Sequence, residues 1–261
     1  MQMRGGQGQS CQEGDTLPAA QQIPVLIVDD EADVLKALEF RFKNFGFSVT
    51  TASSGAVALR TLNEVRCPIV VTDVNMPEMT GVEMLKRIRE KDPVHPKVFV
   101  ITGFSQFTLE EIFDAGADGM FEKPFEAKLL AQTIRSAFES RDLRWGKAPG
   151  VKPKYQFVRD FQSLSDAQKH RTFNIGRGGL FMAERKILPE VGDLVGFEVH
   201  FARGFLPGIG GTGVVRWVRN HDIGSCPAGF GVEINYINEI WRQSFSVYLD
   251  SNRLVAYIPR C

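Results

Sequence analysis

The sequence lacks three features that would place it in a class at once: a long apolar run, an excess of charge of one sign and a closely spaced cysteine pair. No stretch approaches the roughly 18 uninterrupted apolar residues of a membrane span, so we expect no membrane partner. Lysine and arginine together number 31, and so do aspartate and glutamate. This balance argues against a chain whose main task is to coat nucleic acid or an anionic membrane.

Motifs that carry chemistry are also scarce. The four cysteines, Cys11, Cys67, Cys226 and Cys261, are far apart and form no Cys-x-x-Cys pattern. This spacing indicates neither a zinc site nor a redox pair, and it favours a reducing cytoplasm. The sequence shows no nucleophile elbow, no phosphate-binding loop and no helix-turn-helix pattern. We therefore expect a cytoplasmic protein that is not an enzyme and does not bind DNA.

The order of apolar patterns divides the chain into four segments. Residues 1–22 are polar and glycine-rich, which predicts a flexible tail. Residues 23–141 alternate five short apolar strands with five helices, which is typical of an α/β doubly wound parallel sheet. Residues 142–154 form a basic linker with proline and glycine. Residues 155–261 contain short strands and glycine-rich turns, which predict a small antiparallel β-barrel with a C-terminal helix.

Polar residues follow four of the predicted parallel strands, at the point where each strand ends. They are Asp29, Asp30, Asp73, Thr102 and Lys123. Because crossovers in such sheets are right-handed, the carboxyl ends of all the strands meet at one edge, where these folds bind ligands. Three crowded carboxylates repel one another unless a hard cation such as Mg²⁺ lies among them. The set is suited to phosphoryl transfer onto a carboxylate.

The motifs around these residues resemble the receiver domain of bacterial two-component response regulators. In chain order they are VLIVDDE (25–31), VTDVNMP (71–77), ITG (101–103) and FEKPF (121–125). The resemblance implies that Asp73 is the phosphoacceptor. It also implies that Mg²⁺ is bound directly by Asp30, Asp73 and the backbone carbonyl of Asn75, while Asp29 acts through water.

The same resemblance assigns roles on the other strands. Thr102 would be the switch hydroxyl, and Lys123 would pair with the phosphoryl group. One position departs from the family, which usually places Tyr or Phe three residues before the lysine. Here that position holds Met120, whose flexible side chain is expected to pack inward in place of a ring.

The second half resembles the PilZ domain, a six-stranded barrel many of whose members bind cyclic di-GMP. The resemblance rests on RTFNIGRGGLFM (171–182), VGDLV (191–195), GVVRWVR (213–219) and GFGVEI (229–234). Of the family's two ligand motifs, the turn is partly present as Asn174, Gly176 and Gly179. The preceding Arg-x-x-x-Arg is absent. We therefore expect a PilZ-like barrel that acts by protein contact, and keep cyclic di-GMP binding as the alternative.

Together these resemblances predict a response regulator of a two-component phosphorelay. Asp73 would accept a phosphoryl group from a sensor histidine kinase, and the barrel would pass that state to a downstream protein that the sequence does not name. A homodimer is left open. The alternative is a dual-input regulator whose barrel also reads cyclic di-GMP.

Overall fold

A computed structural model describes residues 22–103, 106–138 and 141–261, except for the side chain of Asp142. Nearly all of the predicted tail, residues 1–21, lies outside these ranges. No helix in the described ranges is both long enough and apolar enough to cross a membrane. Two sheets organise the chain, one in each half.

The first sheet is parallel and five-stranded, with the order β2-β1-β3-β4-β5. Its strands are β1 (Ile23–Val28), β2 (Phe47–Ala52), β3 (Ile69–Asp73), β4 (Lys97–Thr102) and β5 (Gly119–Glu122). The intervening helices are α1 (Ala32–Asn44), α2 (Gly55–Glu64), α3 (Gly81–Lys91), α4 (Leu109–Asp114) and α5 (Ala127–Ser136). This confirms the predicted doubly wound α/β sheet.

Apolar side chains cover the sheet on both faces, which explains why its strands are apolar throughout. One layer holds Leu26, Val70 and Val98 against α3, and the other holds Ile27, Val71 and other residues against α1 and α5. Because the strands are parallel, their carboxyl ends share one edge. In the register, Asp73 lies opposite Ile101 and Thr102 lies opposite Glu122.

The second sheet has six strands in the order β6-β9-β10-β11-β8-β7. They are β6 (Tyr155–Phe161), β7 (Phe173–Ile175), β8 (Gly179–Ala183), β9 (Leu194–Phe201), β10 (Gly208–Arg219) and β11 (Gly229–Ile237). Two helices accompany them, α7 (Leu164–Lys169) between β6 and β7, and α8 (Glu239–Ser251) after β11. Phe245 and Leu249 of α8 are buried in the core of this unit, as the predicted capping helix requires.

The prediction of an antiparallel barrel is wrong for one strand pair. β6 pairs with β9 in parallel, whereas the other neighbours are antiparallel. No pairing joins β6 to β7 in the described ranges, so the sheet is a curled mixed half-barrel rather than a closed cylinder. Alternating apolar residues mark a strand and its faces but carry no signal for its direction.

The beginning of the predicted linker is helical. Residues Arg141–Gly146 form α6, and Trp145 on this helix is buried in the core of the second unit. Its indole nitrogen donates to the carbonyl of Ile234 at 3.2 Å. The segment before the first strand of the second unit is therefore anchored on that unit.

The C-terminal residues 252–261 run between the two units. Tyr257 donates its backbone N–H to Phe113 in α4 at 3.1 Å, and the backbone N–H of Gly178 donates to Tyr257 at 3.1 Å. Cys261 ends the segment and forms a disulfide with Cys226. The cysteine spacing did not indicate this pair, because its two residues are 35 positions apart and only the fold brings them together.

Candidate phosphoacceptor site

The carboxyl edge of the first sheet brings two acids and a lysine together. Asp29 follows β1 and Asp73 ends β3, and both are buried. The Lys123 ammonium lies 2.6 Å from Oδ1 of Asp73 and 3.5 Å from Oδ2 of Asp29. One cation therefore bridges two carboxylates, which leaves the cluster with an excess of negative charge.

Local backbone contacts fix the orientation of the central carboxylate. Oδ2 of Asp73 accepts the N–H of Asn75 at 2.5 Å, and the neighbouring Thr72 hydroxyl donates to the Asp73 carbonyl at 2.9 Å. A Cβ at Gly81 would lie 2.0 Å from that same carbonyl. Only glycine fits at this approach, which is why α3 begins with it.

The environment changes the pKa values of two members of the cluster. Burial raises the pKa of Asp29, and the nearby charge of Asp73 adds to this rise against the opposing effects of the Glu31 N–H and Lys123. Burial alone would lower the pKa of Lys123, but its hydrogen bond to Asp73 and the charges of both acids raise it. The lysine is thus held as a cation, while the acids repel each other.

Thr102 ends the neighbouring strand with a buried hydroxyl that has no hydrogen-bond partner in the described structure. Its carbonyl accepts the backbone N–H of Lys123 at 2.7 Å, which ties the ends of β4 and β5 together. A buried hydroxyl without a partner is costly. It is available to a ligand oxygen that arrives at this edge.

The residues proposed for Mg²⁺ converge only in part. Asp30 is exposed, with no hydrogen bond or ion pair among the described residues. Within the same ranges, no three acidic, histidine or cysteine side chains form a metal-binding group by themselves. The available donors are carboxylate and backbone carbonyl oxygens, the ligands that Mg²⁺ takes together with water. The donor chemistry and the excess negative charge fit that ion.

Met120 lies between the two units. It packs partly buried against the core of the first unit and also against the cluster of Phe113, Phe181 and Trp217 that joins the units. Phe121 instead packs on the opposite layer of the sheet, against α1 and α5. The side chain at the position of the expected aromatic therefore contacts the second unit.

A buried ion cluster, which we call the Asp118 cluster, links the units next to Met120. Asp118 binds Arg89 at 2.7 Å, Lys97 at 3.2 Å and Arg177 at 2.8 Å. Arg177 lies in the turn between β7 and β8, and it also donates to the Gly116 carbonyl at 2.8 Å. One acid thus receives three cations, one of them from the second unit.

Helix α4 makes a further set of contacts with the second unit. Glu110 pairs with Arg219 of β10 and, at 3.0 Å, with Arg260. The rings of Phe113 and Tyr257 stack with centroids 6.3 Å apart. The second unit and residues 252–261 therefore lie against the face formed by α4 and β5.

The turn proposed for cyclic di-GMP is covered by the C-terminal segment. The Asn174 amide donates to the Cys261 carbonyl at 3.0 Å, and its oxygen accepts from Gln168 at 2.8 Å. A Cβ at Gly176 would lie 2.5 Å from the Tyr257 carbonyl, and one at Gly179 would lie 2.2 Å from the Val232 carbonyl. Gly176 and Gly179 are thus buried against backbone, and the half-buried Asn174 uses its side-chain amide within the protein.

Sequence reasoning did not find the residues that join the units. Asp118 and Arg177 are single charged residues within Gly116-Ala-Asp-Gly119 and the glycine-rich turn, respectively. A lone charge in an otherwise apolar or glycine-rich stretch is a signal for a buried pair. Nothing in the sequence indicates that the two pair with each other, because 59 positions separate them.

Comparison with known proteins agrees with the geometry of the first unit. A family model described as the response regulator receiver domain matches residues 25–135. The chain is 30% identical over 171 residues to the response regulator protein TodT of Pseudomonas putida, which covers 65% of this chain and 74% of that protein. It is 36% identical over 117 residues to the transcriptional regulatory protein PrrA of Mycobacterium leprae, covering 45% and 50% of the two chains.

Among solved structures, a response regulator receiver domain protein from Clostridium thermocellum matches 46% of this chain and 97% of its own, with 30% identity and a TM-score of 0.43. The match to the Pseudomonas relative covers 74% of that protein at 30% identity, which is enough to assign this chain to the same family. This chain belongs to the response regulators, and its first half is the receiver domain of a two-component system. Receiver domains bind Mg²⁺ and interact with sensor histidine kinases.

Proposed function

We propose that this protein is a cytoplasmic response regulator that accepts a phosphoryl group on Asp73 and passes that state to a PilZ-like output unit acting by protein contact. The receiver would cover residues 23–141 and the output unit residues 155–261, with α6 anchored on the latter. The observation that carries the proposal is the Asp73 carboxylate, bound by Lys123 at 2.6 Å and by the Asn75 N–H at 2.5 Å. Beside it lies the Thr102 hydroxyl, which has no hydrogen-bond partner among the described residues.

The transfer step follows from these positions. An oxygen of the Asp73 carboxylate attacks phosphorus, a new P–O bond forms, and the bond from phosphorus to the donor breaks with its electron pair leaving on the donor. The donor is the phosphohistidine of a sensor kinase or a small acyl phosphate. Lys123 and the Thr102 hydroxyl are positioned to contact the transferred oxygens, where preorganised donors stabilise developing charge.

Asp30, Asp73 and the Asn75 carbonyl would hold Mg²⁺, and Asp29 would act on it through water. When bound, the ion neutralises charge on the phosphoryl oxygens. Without it, the Lys123 ammonium is the one cation among the described residues that pairs with Asp29 and Asp73. The proposal thus accounts for an arrangement of acids that costs the free protein stability.

Transmission to the output unit uses the contacts at α4 and β5. A phosphoryl group that recruits Thr102 at the end of β4 would shift the chain leading into α4, where Glu110 and Phe113 contact the second unit. Met120 on β5 lies in the same contact. We leave cyclic di-GMP out of the proposal because residues 256–261 cover the turn that would bind it.

The test is phosphorylation of the full chain by acetyl phosphate with Mg²⁺, measured by intact-protein mass spectrometry. We expect one phosphoryl adduct in the natural protein and none in Asp73→Asn. Asp250→Asn is the matched control, since it makes the same change at an exposed carboxylate outside the acidic edge. Undiminished labelling of Asp73→Asn would remove Asp73 from this role.

A further inference from the structure

A small basic cleft lies where the receiver, α6 and the C-terminal segment meet. It encloses about 60 Å³. Five basic side chains line it, and no acidic side chain is among the described residues that do so. The five are Lys97, Arg141, Arg144, Arg177 and Arg253.

The cleft lies away from the phosphoacceptor edge. Lys97 begins β4, and Thr102 ends the same strand. Six residues of extended chain place the two ends about 17 Å apart, at about 3.3 Å per residue. A ligand in the cleft is therefore distinct from anything bound at Asp73.

Neighbouring acids offset only part of this positive charge. Lys97 and Arg177 share Asp118 with Arg89, and Arg141 pairs with Asp250 at 2.6 Å. Arg253 donates to a backbone carbonyl, that of Glu90, at 3.2 Å. Two carboxylates, Asp118 and Asp250, therefore face the five cations that line the cleft.

Among the five basic residues of the cleft, Arg144 has the fewest interactions that offset its positive charge. Its guanidinium lies over the Trp145 ring at 5.8 Å, and it has no carboxylate partner among the described side chains. Its Nε is buried and has no hydrogen-bond partner in the same ranges. The side chain thus brings unused donors to the cleft.

The pKa of Lys97 reflects the same excess of positive charge. Burial lowers the pKa of this lysine, and the charges of Arg177 and Arg144 add to the decrease against the opposing effect of Asp118. An anion in the cleft would relieve this repulsion.

We propose that the cleft binds a single phosphate group, carried by inorganic phosphate or by a phosphorylated small molecule. One water molecule needs about 10–15 Å³ of such cavity space, so the cleft has room for about four, which is enough for one tetrahedral oxyanion. Arginine forks match phosphate oxygens in a bidentate manner, and partly dehydrated arginines bind them best.

Such a ligand would hold the two halves of the molecule together. Lys97 belongs to the receiver, Arg177 to the turn of the second unit, Arg144 to the connecting helix and Arg253 to the C-terminal segment. An anion that contacts several of them stabilises the arrangement in which the second unit covers α4. Its concentration would therefore oppose separation of the two units.

The experiment is titration calorimetry of full-length Asp73→Asn protein with inorganic phosphate in EDTA at constant ionic strength. That background excludes phosphoryl transfer, so the result is independent of the proposed function. We expect saturable binding that weakens at least tenfold in Arg144→Gln, since one charge-assisted contact is lost. Arg253→Gln, at an exposed position, provides a second test that does not disturb the core. Arg185→Gln, an exposed arginine outside the cleft, should bind as tightly as the parent.

A parallel titration with a nucleoside monophosphate distinguishes the two sources. Tighter binding than inorganic phosphate, lost in Arg144→Gln, supports a phosphorylated small molecule. Equal binding supports the free ion. Absence of binding by both, or binding that neither Arg144→Gln nor Arg253→Gln weakens, would overturn the proposal.

Discussion

Two charged clusters lie at opposite ends of the receiver sheet, and their charge balance is reversed. At the phosphoacceptor edge, one ammonium from Lys123 serves the two carboxylates of Asp29 and Asp73. In the Asp118 cluster, one carboxylate serves three cations. The Lys123 side chain is 30% exposed, whereas that of Asp118 is 2% exposed.

The difference distinguishes the proposed reactive site from a cluster that holds the fold together. The first cluster keeps unmet negative charge, an exposed acid and a hydroxyl without a partner, so a cation and a phosphoryl group improve it. In the second, both oxygens of the buried acid accept two hydrogen bonds each, so removing a partner leaves a buried charge without compensation. Perturbed carboxylates alone do not identify a functional site; the direction of the imbalance does.

The largest expected effect is on stability, from Asp118→Asn. The variant leaves Arg89, Lys97 and Arg177 buried without their counter-charge, and breaking such a group costs about 3–5 kcal/mol. Urea unfolding measures the loss. Asp250→Asn removes a carboxylate from an exposed pair and should cost less than about 1 kcal/mol. A small effect of Asp118→Asn would mean that the cluster does not hold the units together.

The same variant predicts a dependence on pH. Burial raises the pKa of Asp118, but the charges of Arg177, Lys97 and Arg89 outweigh it and hold the pKa below its usual value. A carboxyl whose pKa is lowered on folding adds stability above its unfolded pKa, about 3.9, and loses it as the pH falls further. The difference in unfolding free energy between natural protein and Asp118→Asn should therefore be full at pH 7 and shrink below about pH 4. A constant difference would contradict this.

The next effect is on the contact between the units, from Arg177→Gln. Asp118 keeps Arg89 and Lys97, but the link from the turn is lost, at about 1.5–3 kcal/mol for hydrogen bonds to a charged group. Hydrogen exchange should show faster exchange at Tyr257 and Gly178, whose backbone N–H groups bridge at the contact. Arg216→Gln breaks only an exposed pair with Glu233 and should leave both unchanged. If the two variants exchange equally fast at these positions, the ion pair between Asp118 and Arg177 is not needed to hold the units together.

The contrast between the two clusters also explains what the sequence could predict. Asp29, Asp73, Thr102 and Lys123 each end or follow an apolar strand, and parallel topology brings all strand ends to one edge. Their convergence follows from local pattern and chain direction alone. The fold of the receiver was predictable for a similar reason, because three of the four neighbouring strand pairs in its sheet are consecutive in the chain.

The contact between the two units depends on pairing between distant segments, which no local sequence pattern encodes. Asp118 and Arg177 come from different units, and Cys226 meets Cys261 only because the C-terminal segment returns to the sheet. The parallel pairing of β6 with β9 was missed for a related reason. Side-chain alternation is the same for either strand direction, and the two strands are separated by α7, β7 and β8.

A smaller effect distinguishes the two neighbouring acids at the phosphoacceptor edge. Asp30 is exposed and without partners among the described residues, so Asp30→Asn should change the stability of the metal-free protein by less than about 0.5 kcal/mol. Asp29→Asn removes one of two crowded charges and should raise it by an amount on the order of 1 kcal/mol. Thermal unfolding with and without Mg²⁺ tests both. Mg²⁺ should stabilise Asp30→Asn less than Asp29→Asn, and the reverse order would refute the direct role of Asp30.

A similarly small effect concerns two buried threonines on adjacent strands. The Thr72 hydroxyl donates to the Asp73 carbonyl at 2.9 Å, whereas the Thr102 hydroxyl has no partner in the described structure. Valine has the same shape without the hydroxyl, so Thr102→Val should raise the unfolding free energy by about 0.5–1 kcal/mol, and Thr72→Val should lower it by about 1 kcal/mol. Urea unfolding of the pair measures both signs.

Thr102→Val should stabilise the fold but impair transmission of the phosphorylation signal. Asp73 still accepts a phosphoryl group from acetyl phosphate, because its carboxylate, Asn75 and Lys123 are unchanged. The phosphorylated variant should nevertheless fail to increase hydrogen exchange in α4, since the hydroxyl that would draw the end of β4 toward the phosphoryl group is missing. If the variant is stabilised and phosphorylation still increases hydrogen exchange in α4, the Thr102 hydroxyl only destabilises the fold. The signal would then reach α4 by another route.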